Sequence, residues 1–218
     1  MAAEVIAWGA FGALLGLGAD RLAARWPTHA DGAVRSPDWR TVVVVLGGLV
    51  AFAGLAGRWE DPRDLAVLGL YVAALIVLLA TDLDQRLLPD LITLPLIIYA
   101  AVVSLLPAIV DVSLNPLIGG KSLAAASAVG AAILAPLLLL VSDRLFKGSL
   151  GMGDVKLSVS LGLMCGISLF VIGFLVASIA FAAVVLVLLA ARRITLKTAI
   201  PFGPALLGAG IVVTLLPA

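Results

Sequence analysis

The sequence predicts an all-α fold: a polytopic membrane helix bundle of about eight transmembrane helices, forming a single domain over residues 1–218. Three observations predict it. Hydrophobic residues make up 63% of the 218, charged residues only 12%, and the mean hydropathy is +1.22, which lies well outside the range of a soluble globular domain. The apolar residues come in runs long enough to cross a hydrocarbon core of about 30 Å, which takes about 20 residues per helix. The basic residues fall between those runs, strongly biased to one set of connections. No connection exceeds about 16 residues, so no separate soluble domain fits between the runs.

In chain order, the first run spans residues 5–24 and carries Gly9, Gly12, Gly16 and Gly18, which suit close helix packing. Glu4 precedes it in place of a basic stretch, and no small-residue cleavage site follows. It therefore reads as a retained span, not a removable signal. Runs at 41–57, 65–81, 91–110 and 122–142 follow. Leu157 to Ala191 is then one uncharged stretch, and as a single helix it would be about 52 Å long, more than a bilayer accommodates. A hairpin near Cys165, Gly166, Ile167 and Ser168 resolves this into spans at 155–168 and 169–190, before a last run at 201–217. Trp8, Trp26, Trp39 and Trp59 all lie near the ends of proposed spans, where tryptophan anchors at the interface. Cys165 is the only cysteine, which excludes a disulfide framework and a cysteine zinc site. The single His29 reads as a solvated loop side chain, so no metal and no cofactor is expected.

Alternating connections orient the bundle, because lysine and arginine are retained on the cytoplasmic side. One set holds Arg21, Arg25, Arg35, Arg40, Arg86, Arg144, Lys147, Lys156, Arg192, Arg193 and Lys197; the other holds only Arg58, Arg63 and Lys121. This makes both termini extracytoplasmic and places the connection after the third span in the cytoplasm.

That connection, "LATDLDQRLLPDLITLP", carries Asp82, Asp84 and Asp90 around Arg86. Asp90 follows Pro89 at the head of an apolar run and reads as the N-cap of the fourth span. Asp84 and Arg86 fit an interfacial ion pair. Asp82 follows the apolar run directly, at a depth where an ionisable group is costly unless it serves a polar cavity. A second such acid is Asp154 in "SLGMGDVKLSVSLG", where Gly151 and Gly153 allow a turn to tuck against neighbouring helices. Both acids lie on the cytoplasmic side. Two carboxylates in a partly dehydrated cavity tend to share a proton. Such a pair can hydrolyse a peptide, one member taking a proton from water while the other polarises the scissile carbonyl. It can equally couple protons or ions in a transporter, and the residue types alone leave both uses open.

A family resemblance separates them. "TDLDQRLLPDLITLP" resembles the Asp-x5-Leu-Pro-Asp segment of type 4 prepilin peptidases, membrane aspartic proteases of the GxGD type, and "GMGDVKL" resembles their Gly-x-Gly-Asp-x-Lys-Leu segment. "IPFGPAL", residues 200–206, is similar to the Pro-Phe-Gly-Pro stretch before that family's last span. The resemblance covers residues 64–217 and, more faintly, "GALLGLGADRLAARWP" in the first span. It implies that Asp82 and Asp154 are the catalytic pair, supported by Pro89, Gly151, Gly153, Lys156, Pro201, Phe202, Gly203 and Pro204. The implied activity is removal of a short basic leader from prepilin or pseudopilin substrates, at the cytoplasmic face of the cytoplasmic (inner) membrane. A basic leader needs acids, for which Asp84 and Asp90 are available. Membrane lipids are the other expected partners, and nothing points to nucleic acid. Many family members carry two Cys-x-x-Cys pairs and a segment tied to N-methylation between the first two spans. This chain has only "THADGAVRSPDWR" there, so the resemblance does not extend to methyl transfer.

Overall fold

The computed structural model describes residues 2–28, 32, 34–110, 114–119, 122–146, 151–192 and 203–216. These residues form helices joined by short connections: α1 (Ala2–Ala23), α2 (Trp39–Arg58), α3 (Pro62–Gln85), α4 (Asp90–Leu105), α5 (Pro107–Val110), α6 (Ser122–Phe146), α7 (Met152–Ala190) and α8 (Gly203–Leu215). No strand occurs among the described residues. Six helical segments are long and apolar enough to cross a membrane, and α8, at 13 residues, is a shorter apolar helix. The protein is thus a polytopic helical membrane bundle. Its outward faces carry residues such as Leu70, Ile98 and Ile179, each more than 60% exposed to the surroundings, as lipid-facing positions should be.

Local sequence sets the helix ends. Asp38 caps α2 by accepting from the Arg40 N–H, while the Thr41 side chain accepts from the Asp38 N–H, a reciprocal capping box. Asp61 caps α3, with Pro62 at its first position, where a missing N–H costs nothing. At its far end α3 continues four residues past the expected limit of 81, to Gln85, so Asp82 and Asp84 are helical. Arg86 then turns out in the left-handed region (φ 56°) with its N–H on the Asp82 carbonyl. Asp90 is the first residue of α4 and not its cap. Pro89 holds the cap position and makes no side-chain bond there; its carbonyl accepts from the N–H groups of Ile92 and Thr93.

The α1–α2 pair packs backbone to backbone. A β-carbon on Gly16 would come within 2.6 Å of the Val44 carbonyl oxygen. Helix α3 is the most deeply buried element, with Leu68, Tyr71, Val72, Leu75, Ile76 and Leu78 fully enclosed. Within this apolar interior Tyr71 donates to Ser160, which donates to the Leu96 carbonyl, so each hydroxyl has a partner. At one end of the bundle the Trp59 indole donates to the Thr214 carbonyl at 2.9 Å. Trp59 is therefore a buried tie between α2 and α8, where an interfacial anchor was expected; Trp39 is 63% exposed.

Helix α7 is one element only in name. Gly166 interrupts it at φ 64°, ψ 178°, a conformation that only glycine adopts without strain, and the freed Ile167 N–H donates to Ser127 Oγ at 2.9 Å. Leu161 and Gly173 both pack on the same short stretch of α8, around Ala209, Gly210 and Val213. Along a straight helix these two residues would be about 18 Å apart. The chain therefore bends sharply at Gly166, within the segment where a break was expected.

Candidate functional site

The end of the bundle opposite Trp59 holds Asp82 and Asp154, together with Asp20, Asp84 and Asp90. Asp82 sits one turn before the end of α3 and is only 5% exposed. Its Oδ2 is buried and has no hydrogen-bond partner among the described residues. Buried carboxylate oxygens are rarely left so, and such an orphan marks a place for a water, a proton or a substrate group.

Two other elements close around it. The first residue of α8, Gly203, lies directly against the carboxylate: a β-carbon there would fall 2.5 Å from Oδ2 and 2.9 Å from Oδ1. Pro204 follows in the first turn, where proline is tolerated. Pro201 and Phe202 lie outside the described residues. From the other side the start of α7 packs on the connection between α3 and α4. Gly153 permits this, because a β-carbon there would sit 2.8 Å from Leu88 Cβ. Gly151 holds the N-cap of α7, its carbonyl accepts from the Asp154 N–H at 3.0 Å, and its Cα faces the Asp154 carboxylate. Asp154 is thereby presented half-buried in the first turn of α7, close enough to Asp82 for its charge to act there, as that of Arg86 also does. The fold thus places two acids from separate motifs within electrostatic reach of each other, with Gly203 against Asp82 and Gly151 beside Asp154.

The remaining acids are placed differently. Asp90 and Lys156 pair at 2.6 Å on the surface, joining the first turns of α4 and α7, with the Asp90 side chain 59% exposed. Asp84 points away from Asp82 and has a side chain only 1% exposed, held by Arg35 and Arg40. A further buried acid, Asp20 near the end of α1, is held by Arg21, Arg35 and Thr41. The sequence reading passed over Asp20, although the signal that singled out Asp82, an ionisable residue at the end of an apolar run, was present there too. Among the described residues no group of three or more His, Cys, Asp or Glu could hold a metal ion.

Part of this geometry falls within a known protein family. Residues 69–187 match the type IV leader peptidase family, more than half of the chain, and include both Asp82 and Asp154. No curated protein and no solved structure matched the chain. A multi-pass helical membrane protein matched over that length is assigned by it to peptidase chemistry on prepilin-type substrates: the chain belongs to the type IV leader peptidase family.

Proposed function

We propose that the protein is an aspartic endopeptidase that removes a short basic leader from prepilin-like proteins at the cytoplasmic face of the cytoplasmic membrane, using Asp82 and Asp154 and one water. The observation that carries this reading is the buried Oδ2 of Asp82, without a hydrogen-bond partner among the described residues and within electrostatic reach of Asp154. One carboxylate, ionised, takes a proton from the water as its oxygen attacks the scissile carbonyl carbon. The other, protonated, donates to the carbonyl oxygen; collapse of the tetrahedral adduct breaks the C–N bond, and the departing amine takes a proton. No covalent enzyme intermediate and no metal enters the scheme.

Charge supports the orientation. Arg21, Arg35, Arg40, Arg86 and Lys156 gather at the Asp82 end, whereas Arg58 and Arg63 flank the turn at the other. With both termini outside, the acids face the cytoplasm, where a basic leader would remain. Asp90 is exposed and exchanges Lys156 for a leader cation at little cost, since surface ion pairs are weak. Asp84 could serve as a leader contact only by giving up Arg35 and Arg40. Gly151, Gly153, Pro89 and Gly203 shape the walls of the site, and methyl transfer forms no part of the proposal.

The test is direct. Purified protein in detergent, incubated with a prepilin, should release the leader, read as a mass shift. Asp82→Asn and Asp154→Asn should each abolish cleavage with expression intact; an active single mutant would refute the dyad.

A further inference from the structure

We propose that Arg35 is a positioning residue for the reaction: through Asp84 it fixes the last turn of α3 and thereby the direction of the Asp82 carboxylate. The inference rests on the peptidase reading above. Arg35 lies in the connection between α1 and α2, and its guanidinium reaches three elements. Nε donates to Asp84 Oδ1 at 2.5 Å, Nη1 to Asp38 Oδ1 at 2.6 Å, and Nη2 to Asp20 Oδ1. The side chains of Asp20 and Asp84 are each 1% exposed. Arg40 gives Asp84 a second donor at 3.0 Å, and Thr41 donates to Asp20 Oδ2 at 2.8 Å. Gln85, the last residue of α3, donates to the Pro27 carbonyl of the same connection at 2.5 Å.

Burial opposes the charge on Arg35, but the carboxylates of Asp20 and Asp84 outweigh it and hold its pKa above the ordinary arginine value. The cluster thus keeps its cation across the working pH range. Only a planar, multi-donor fork can satisfy carboxylates from three elements at once, which lysine cannot imitate.

Helix geometry makes this clamp bear on Asp82. Residues two apart project about 200° apart around the axis. Asp84 faces α1, α2 and their connection, so Asp82 faces the opposite way, toward α8 and the start of α7. The final carbonyls of a helix lack intrahelical partners, and α3 ends at Gln85, so its last turn depends on side-chain ties to hold its rotation. Fixing Asp84 sets that rotation, and with it the aim of Asp82.

The experiment uses the full chain in detergent with a prepilin, measuring kcat and KM beside the thermal unfolding of each variant. Arg35→Lys should lower kcat on the order of tenfold or more with KM unchanged, beyond any loss of folded protein. Asp84→Asn should do the same, and the double variant should be no worse than the worse single, because both break one link. If Arg35→Lys fails to fold, Asp84→Asn decides alone. Parental kcat in either folded variant, or loss that merely tracks the folded fraction, would overturn the clamp. So would a rise in KM alone in Asp84→Asn, which would make Asp84 a leader contact. A parent protein that cleaves no prepilin would instead refute the peptidase reading, and the positioning role with it.

Discussion

Gly203 and Asp82 touch although they stand 121 residues apart (203 minus 82), and their contact gives a residue-scale prediction. Gly203→Ala would drive a methyl group to within 2.5 Å of Asp82 Oδ2, closer than real β-carbons approach anything. One of the two must move, and if Asp82 acts as proposed, displacement of its carboxylate by about 1 Å can cost on the order of a hundredfold. We expect cleavage by Gly203→Ala to fall at least tenfold through kcat, with unfolding temperature little changed. A steady-state comparison with the parent decides it. At this scale the sequence singled out Asp82 and Asp154 as candidates by residue type and position, and the family resemblance added Gly151, Gly153 and Gly203. It could not reveal that Asp84 turns inward to Arg35, because two acids in one short motif look alike until the helix assigns them to opposite faces.

Among the elements, α7 depends on a single glycine. Gly166 adopts a conformation that other residues reach only with strain of about 1–3 kcal/mol, and a β-carbon there would also lie 2.9 Å from Ser127 Oγ. Gly166→Ala is therefore expected to lower the unfolding temperature in detergent markedly. Ser127→Ala, which leaves the Ile167 N–H without its partner, should cost about 1–3 kcal/mol. Parental stability in Gly166→Ala would show that the kink does not depend on that backbone conformation. The length of the uncharged run was enough to require a break, since a bilayer limits how far one helix can extend. Helix ends were less legible: α3 outran its apolar run to Gln85, because Asp82 and Asp84 are shielded by tertiary partners that hydropathy does not count.

For the whole molecule, topology and cofactor dependence are both open to measurement. Cys165 is the only cysteine and is buried, so its replacement by serine gives a background for labelling. Ser36→Cys, exposed beside the arginine cluster, should be modified only by reagents with access to the cytoplasm. Glu60→Cys, exposed at the opposite end, should react from outside the cell. The reverse pattern would invert the proposed orientation. Cleavage should also survive strong chelators, since the proposed water is activated by carboxylates alone; inhibition reversed by added metal would overturn that scheme.

By itself, the sequence determined the environment and the helical class, and it singled out Asp82 and Asp154 as the candidate acids, because hydropathy, run length and motif spacing are local quantities that a membrane reads almost residue by residue. Only the tertiary structure decided how those parts meet. It set the rotation of α3, which sends Asp82 toward Gly203 and Asp84 toward Arg35, and it closed three elements around a carboxylate oxygen that has no partner among the described residues. These depend on which faces of distant helices come into contact. That is settled by packing and by the need to pair buried charge, neither of which any single segment encodes.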